Sequence, residues 1–145
     1  MSPIRETRRH RAAEQRLAQY LARHWQVTLD KTPRLRRYDY TARRDGQIVA
    51  VIELKIRNRH PGEFPDVFID AAKWAGLTLS ARDFNCRAII VWYFARAGVA
   101  HYIDVQAIDT STGEMRGRHD RGGSEQCLVY RVPLDTTTRI NIGAL

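Results

Sequence analysis

The sequence predicts a mixed α/β domain: a central mixed sheet flanked by helices on its faces. Three observations carry this. Two apolar, β-branched runs, 48–56 and 87–95, have the composition of strands buried on both faces. A stretch over 5–25, free of Gly and Pro and rich in Arg, Ala, Glu, Gln and Leu, reads as a helix before the first run, and 71–82 reads as a helix between the two. At 145 residues, 43% hydrophobic and 28% charged, the chain suits one domain over 1–145 with a real core.

In the first helix Leu17, Ala18, Leu21 and Trp25 share one stripe. Glu14 lies on that stripe, either turned inward toward something positive or at its edge and paired with Arg11. A short strand over 27–29 and a turn over 30–33 follow. Residues 35–44 and 47–59 then read as two strands of a hairpin, with Asp45-Gly46 as the turn signal.

The register matters because side chains alternate along a strand. A two-residue loop at Asp45-Gly46 would set Asp39 opposite Ile52, facing away from Glu53. A three-residue loop over 44–46, with Gly46 left-handed, or an equivalent bulge further along, turns Asp39 to the face of Glu53. That second register is expected, with Tyr38 and Tyr40 on the opposite face, toward Ile52 and Ala50.

Arg57 to Gly62 reads as a basic turn, 67–69 as a short extended piece, and Asp70 as the cap of the 71–82 helix. Ala72, Ala75, Gly76 and Leu79 form a small-residue face suited to packing on a sheet. Lys73 sits in the first turn, against the helix dipole, and reads from its position as a solvated lysine. The 87–95 run is expected at the centre of the sheet and 99–105 beside it. Residues 109–126 hold Met115 as their one large apolar residue and read as a long polar loop, mobile or ordered by a partner. The alternating 127–134 segment reads as an edge strand, with Pro133 at its end.

Charge is unevenly placed. The chain carries 24 Lys and Arg against 16 Asp and Glu, a net +8, and the excess lies entirely within residues 1–44. Of the basic residues 21 are Arg, which suits bidentate phosphate contacts, so a nucleic-acid partner is expected. Cys86 and Cys127 lack CxxC or CxxH spacing and read as reduced core residues. No leader is expected, and the longest apolar run is too short to span a membrane, so a cytoplasmic protein without membrane contact is expected. The five histidines show no HxxxH or HExxH spacing, which disfavours a zinc enzyme, and no phosphate-binding glycine motif is present.

Glu53 and Lys55 are two apart on the apolar 48–56 strand and project from one face, where buried charges are costly unless they pair or bind something. Carboxylates of Glu14, Asp39 and Glu53, with the Leu54 carbonyl, make an oxygen-only donor set suited to Mg²⁺ or Mn²⁺, with Lys55 beside it. That set suits phosphodiester hydrolysis. Arg8, Arg9, Arg36, Arg37, Arg57, Arg59 and Lys73 are the candidate nucleic-acid contacts.

Asp39, thirteen intervening residues, then Glu53-Leu54-Lys55 at the end of an apolar strand resembles the PD-(D/E)XK nuclease superfamily, as a small restriction-endonuclease-like or Holliday-junction-resolvase-like member. The preceding helix and the helix and strand that follow match its α-β-β-β-α-β core over roughly residues 10–105. Tyr38 stands where the motif name has Pro. The resemblance implies a Mg²⁺-dependent DNA endonuclease with Asp39 and Glu53 as metal ligands, Lys55 as the catalytic lysine and Glu14 as an accessory acid or ligand. It also carries over Lys73 as a helix residue used by some members. Repair, recombination, restriction and phage DNA processing all fit, a homodimer would cut both strands, and RNA stays open as substrate. The rival readings are a catalytically silent relative that binds nucleic acid or builds a phage particle, and a basic interaction module unrelated to nucleases.

Overall fold

The computed structural model describes residues 8–33, 36–63, 65–118 and 125–145, with the side chains at 8–10, 118 and 125 excepted. In chain order the elements are α1 (Arg8–Trp25), β1 (Thr28–Lys31), β2 (Tyr40–Arg44), β3 (Gln47–Arg57), β4 (Asp66–Asp70), α2 (Ala71–Phe84), β5 (Arg87–Phe94), β6 (Val99–Asp104), β7 (Glu114–Arg118), β8 (Glu125–Pro133) and β9 (Thr138–Asn141). Six strands form the main sheet in the order β1-β2-β3-β5-β6-β9, and β4-β8-β7 form a second sheet. The two apolar runs are β3 and β5, parallel neighbours at the sheet centre, paired from Ala50↔Arg87 to Arg57↔Phe94. A parallel pair needs a long crossover, and α2 lies within it.

Each face of β3 feeds its own core. Leu17, Ala18 and Leu21 of α1 pack on Tyr40, Ala50, Ile52 and Leu54. Leu77 and Ala81 of α2 pack on the other face with Val51, Ile90 and Trp92, and Val67, Ile69 and Val132 of the second sheet complete that core. From Ala50 onward the even-numbered side chains of β3 therefore meet α1, and the odd-numbered ones, Glu53 and Lys55 among them, meet the α2 side. The expected stripe of α1 is the buried one. On α2 the expected small-residue face is not: Ala72, Ala75 and Leu79 are exposed, because the helix turns Leu77, Ser80 and Ala81 inward instead.

The hairpin differs from the expected turn in an instructive way. Asp45 (φ 53°) and Gly46 (φ 78°) are both left-handed, and Arg44 pairs with Gln47, so the loop has two residues, not three. The register then shifts between Ala42 and Arg43: Arg43 opposes Ile48, but Ala42 opposes Ala50, leaving Val49 as the extra residue of a bulge in β3. The bulge restores the parity that a two-residue loop alone would break.

Other expectations are corrected. β2 starts at Tyr40 rather than 35, and the expected turn over 30–33 is partly strand, since β1 runs to Lys31. Tyr38 therefore leaves the face of Tyr40 and joins the α2-side core, edge-on to Phe84. The expected polar loop contains β7, which pairs with β8 through Glu114↔Val129 and Arg118↔Glu125. β8 is the centre of the second sheet, not an edge. The C-terminal segment supplies β9, the edge of the main sheet. Cys86 and Cys127 are free thiols and half-buried. Among the described residues no helix is long and apolar enough to cross a membrane.

His101, 8% exposed on β6, sits 2.8 Å from the Thr137 hydroxyl through Nδ1. That hydroxyl donates to the Leu134 carbonyl, so His101 is the donor, through a proton on Nδ1. Burial, and secondarily Arg139, push its pKa below the ordinary 6.5. The unfolded chain thus takes up the proton first, and the stability is present above the unfolded pKa and lost as pH falls. Thermal melts should show Tm dropping from about pH 7 to about pH 5. His101→Gln should flatten that drop, and an unchanged slope would remove His101 as its source.

Candidate active site

Asp39 is fixed by its backbone before its side chain does anything. Its N–H donates to the Ile52 carbonyl at 2.9 Å and its carbonyl accepts the Thr32 N–H at 2.9 Å. The Thr32 hydroxyl donates to the neighbouring Tyr38 carbonyl. The β2–β3 ladder ends at Tyr40↔Ile52, and beyond it the Asp39 carboxylate itself takes the Leu54 N–H, Oδ2 at 2.9 Å. A side-chain acceptor thus replaces the missing strand partner, holding the carboxylate beside the Glu53–Leu54 peptide.

Glu53 is 4% exposed. A carboxylate so buried requires a counter-charge, and it has two. Lys55 Nζ lies 3.0 Å from Oε2 and Lys73 Nζ 3.4 Å from Oε1. Lys73 also donates to the Arg37 carbonyl at 3.3 Å, tying α2 to the segment before Asp39. The sequence position of Lys73 suggests solvation, but the side chain belongs to this cluster. The signal available was its misfit: a cation in a first helical turn wants a nearby acid.

Glu14 is placed differently. Its carboxylate pairs with Lys31 at 2.9 Å, and α1 packs on the face of β3 opposite to Glu53. Glu14 and Lys31 line a groove of about 430 Å³ between α1 and β1. Among the described residues no three His, Cys, Asp or Glu side chains gather as a metal cluster. The structure brings Asp39, Glu53, Leu54, Lys55 and Lys73 together and leaves Glu14 outside.

Of the candidate nucleic-acid contacts, Arg36 and Arg37 are exposed, and Arg8 and Arg9 have side chains outside the described residues. Arg57 continues the Glu53 and Lys55 face of β3 and is half-buried. Burial, with repulsion from Arg59, lowers its pKa from the usual arginine range. Arg59 lies over the Phe94 ring, 5.7 Å from its centroid.

The donor set suits a hard divalent cation: two carboxylates and a backbone carbonyl, all oxygen. Leu54 gives its N–H to Asp39, and the N–H and C=O of one strand residue point to the same edge, so its carbonyl faces the same side, past the end of β2. An ion here would be held by two carboxylates and that carbonyl, with water filling the remaining positions.

A mixed sheet between two helices, with an Asp before the hairpin and Glu-x-Lys late in the central strand, is the arrangement of a PD-(D/E)XK nuclease fold. Residues 1–140 match the family described as "Phage putative PDDEXK endonuclease", and the chain belongs to that family. No curated protein sequence matches the chain. The Holliday junction resolvase Hjc of the archaeal hyperthermophile Archaeoglobus fulgidus has a similar fold, with TM-score 0.56, 16% identity, and coverage of 87% of this chain and 90% of that one. A nuclease from a fusellovirus is also similar, with TM-score 0.52, 11% identity, and coverage of 95% and 88%.

The two lysines should be worth more together than singly. Lys55→Ala/Lys73→Ala leaves the Glu53 charge buried without a partner and should cost roughly 1–2 kcal/mol in urea unfolding, discounted because the ammonium side chains keep 34% and 32% exposure. Adding Glu53→Gln should recover much of that loss. A triple variant no more stable than the double would show that the carboxylate charge is not what the lysines hold.

Proposed function

We propose that the protein is a metal-dependent endonuclease that hydrolyses DNA phosphodiester bonds at the Asp39, Glu53 and Lys55 site, in the processing of phage DNA in the cytoplasm. The observation that carries this is the buried Glu53 carboxylate beside Lys55, with the Asp39 carboxylate pinned to the Leu54 N–H alongside it. Membership of a phage endonuclease family supports the reaction class, and the fold shared with a Holliday junction resolvase favours DNA.

In this reading Asp39, Glu53 and the Leu54 carbonyl hold Mg²⁺ or Mn²⁺, which when bound supplies Lewis acidity and an activated water. Asp39 is held ready by the Leu54 N–H, so little reorganisation is needed. Lys55 offsets the negative charge that builds on the phosphate oxygens, and Lys73 keeps the Glu53 carboxylate oriented. Glu14, held by Lys31, takes an accessory part from the α1 side rather than a ligand's. Arg57 and Arg59 extend positive charge from the end of β3, and Arg8, Arg9, Arg36 and Arg37 extend it from the N-terminal third. One site per chain cuts one strand, so a double-strand break requires two copies, and we propose a homodimer on DNA.

The test is cleavage of plasmid, single-stranded and branched DNA, and of RNA, with Mg²⁺, Mn²⁺ or EDTA. Wild type should cut DNA with metal only, and Glu53→Ala and Lys55→Ala should each lower the rate about 100-fold or more with the fold retained. Binding without cutting under every metal supports the silent, nucleic-acid-binding alternative, and cutting of RNA alone reassigns the substrate. No binding at moderate salt rules out both the nuclease and its silent relative.

Asp39→Asn removes a charge but keeps a carbonyl acceptor for the Leu54 N–H. Calorimetric titration of Mn²⁺ should show at least about tenfold weaker binding at nearly unchanged Tm. A collapsed Tm with unaltered affinity would make Asp39 a structural residue.

A further inference from the structure

Beside the candidate site lies a groove of about 510 Å³ lined by Arg37, Asp70, Lys73, Gly76, Cys127 and Leu128, among others. It shares a wall with the site, because the Lys73 ammonium that lines it also reaches Glu53 Oε1 at 3.4 Å. Arg37 is exposed, and among the described residues its guanidinium has no ion pair or hydrogen bond. Its stem is nevertheless placed. A Cβ on Gly76 would stand 3.4 Å from Arg37 Cδ and 3.6 Å from Cβ, ordinary van der Waals contact, so the Arg37 stem passes over α2 at Gly76. The Arg37 carbonyl is held as well, by Lys73. The result is a guanidinium fixed by its stem, free at its head, over a groove that opens beside Glu53.

We propose that this groove is a phosphate subsite: Arg37, its stem lying over α2 at Gly76 and its carbonyl held by Lys73, binds the backbone phosphate of the substrate strand next to the one being cut, with Lys73 as the cation between the two positions. The identity of the strand rests on the nuclease reading above. The guanidinium fork suits two phosphate oxygens at once, which a lysine at the same place does not reproduce. Asp70 is the acid lining the groove, so the attraction is local to the Arg37 and Lys73 end rather than spread along it.

Binding measured without metal tests this apart from cleavage. Fluorescence anisotropy with a labelled duplex oligonucleotide in EDTA, over a salt series, should show Arg37→Ala binding roughly five- to tenfold more weakly at about 0.1 M salt. The slope of log affinity against log salt should shrink by about one. Arg37→Lys should restore the slope but not the full affinity. Gly76→Leu, which keeps every charge and displaces the Arg37 stem, should weaken binding in the same direction. Arg139→Ala, on the β9 edge strand, should leave the slope as in wild type. Affinity and slope of Arg37→Ala equal to wild type, or no duplex binding by the wild type, overturn the subsite. Arg37-dependent binding by a protein that never cuts would keep the subsite and discard the nuclease reading, so the two fail separately.

Discussion

Glu53 places a carboxylate at 4% exposure in the longest strand of the sheet, and much of the neighbouring structure is arranged around that charge. Two ammoniums compensate it, one from its own strand and one from α2. A third group, the Asp39 carboxylate, is brought alongside by hydrogen bonds to the β3 backbone. An apolar side chain at 53 would be the cheaper solution for a central strand. The lysines, the truncated β2 and the bulge make physical sense as the cost of keeping an acid there.

The bulge at Val49 is the least conspicuous of these devices and the one with the largest consequence. With the two-residue Asp45-Gly46 loop alone, Asp39 falls on the α1 side of the sheet, buried among apolar side chains. One additional residue in β3 turns it to the face of Glu53. Side-chain period and loop length together decide whether two carboxylates meet, and the correction is made in the strand rather than in the turn.

The parts legible in the sequence were those with local signatures. The apolar composition of β3 and β5, the Asp-Gly turn and the α1 stripe each follow from nearest neighbours and period. The need for a bulge was legible from the parity of Asp39 and Glu53, but its place was not, because 48–52 is uniformly apolar and an extra Val leaves no trace. β7 carries no strand signature in the sequence because its pairing with β8 is reinforced by charge rather than by apolar alternation: Arg131 binds Asp66 at 2.9 Å and Glu114 at 3.1 Å, and its guanidinium and that of Arg116 lie over Phe68. Lys73 and the Arg37–Gly76 contact arise from the docking of α2 against β3, a tertiary fact that no short window contains. The second sheet matters here because it packs with α2 and so helps set where Lys73 and Gly76 stand.

The most direct test of the central claim, that the buried Glu53 charge is kept for a divalent cation, is an anomalous diffraction map from crystals soaked in Mn²⁺. The account predicts one peak about 2.2 Å from carboxylate oxygens of Asp39 and Glu53 and from the Leu54 carbonyl. The Lys73 ammonium should have moved away from Glu53 Oε1. A map with no peak there, with Glu53 still clasped by Lys55 and Lys73 at saturating Mn²⁺, or a peak at Glu14 instead, would contradict it.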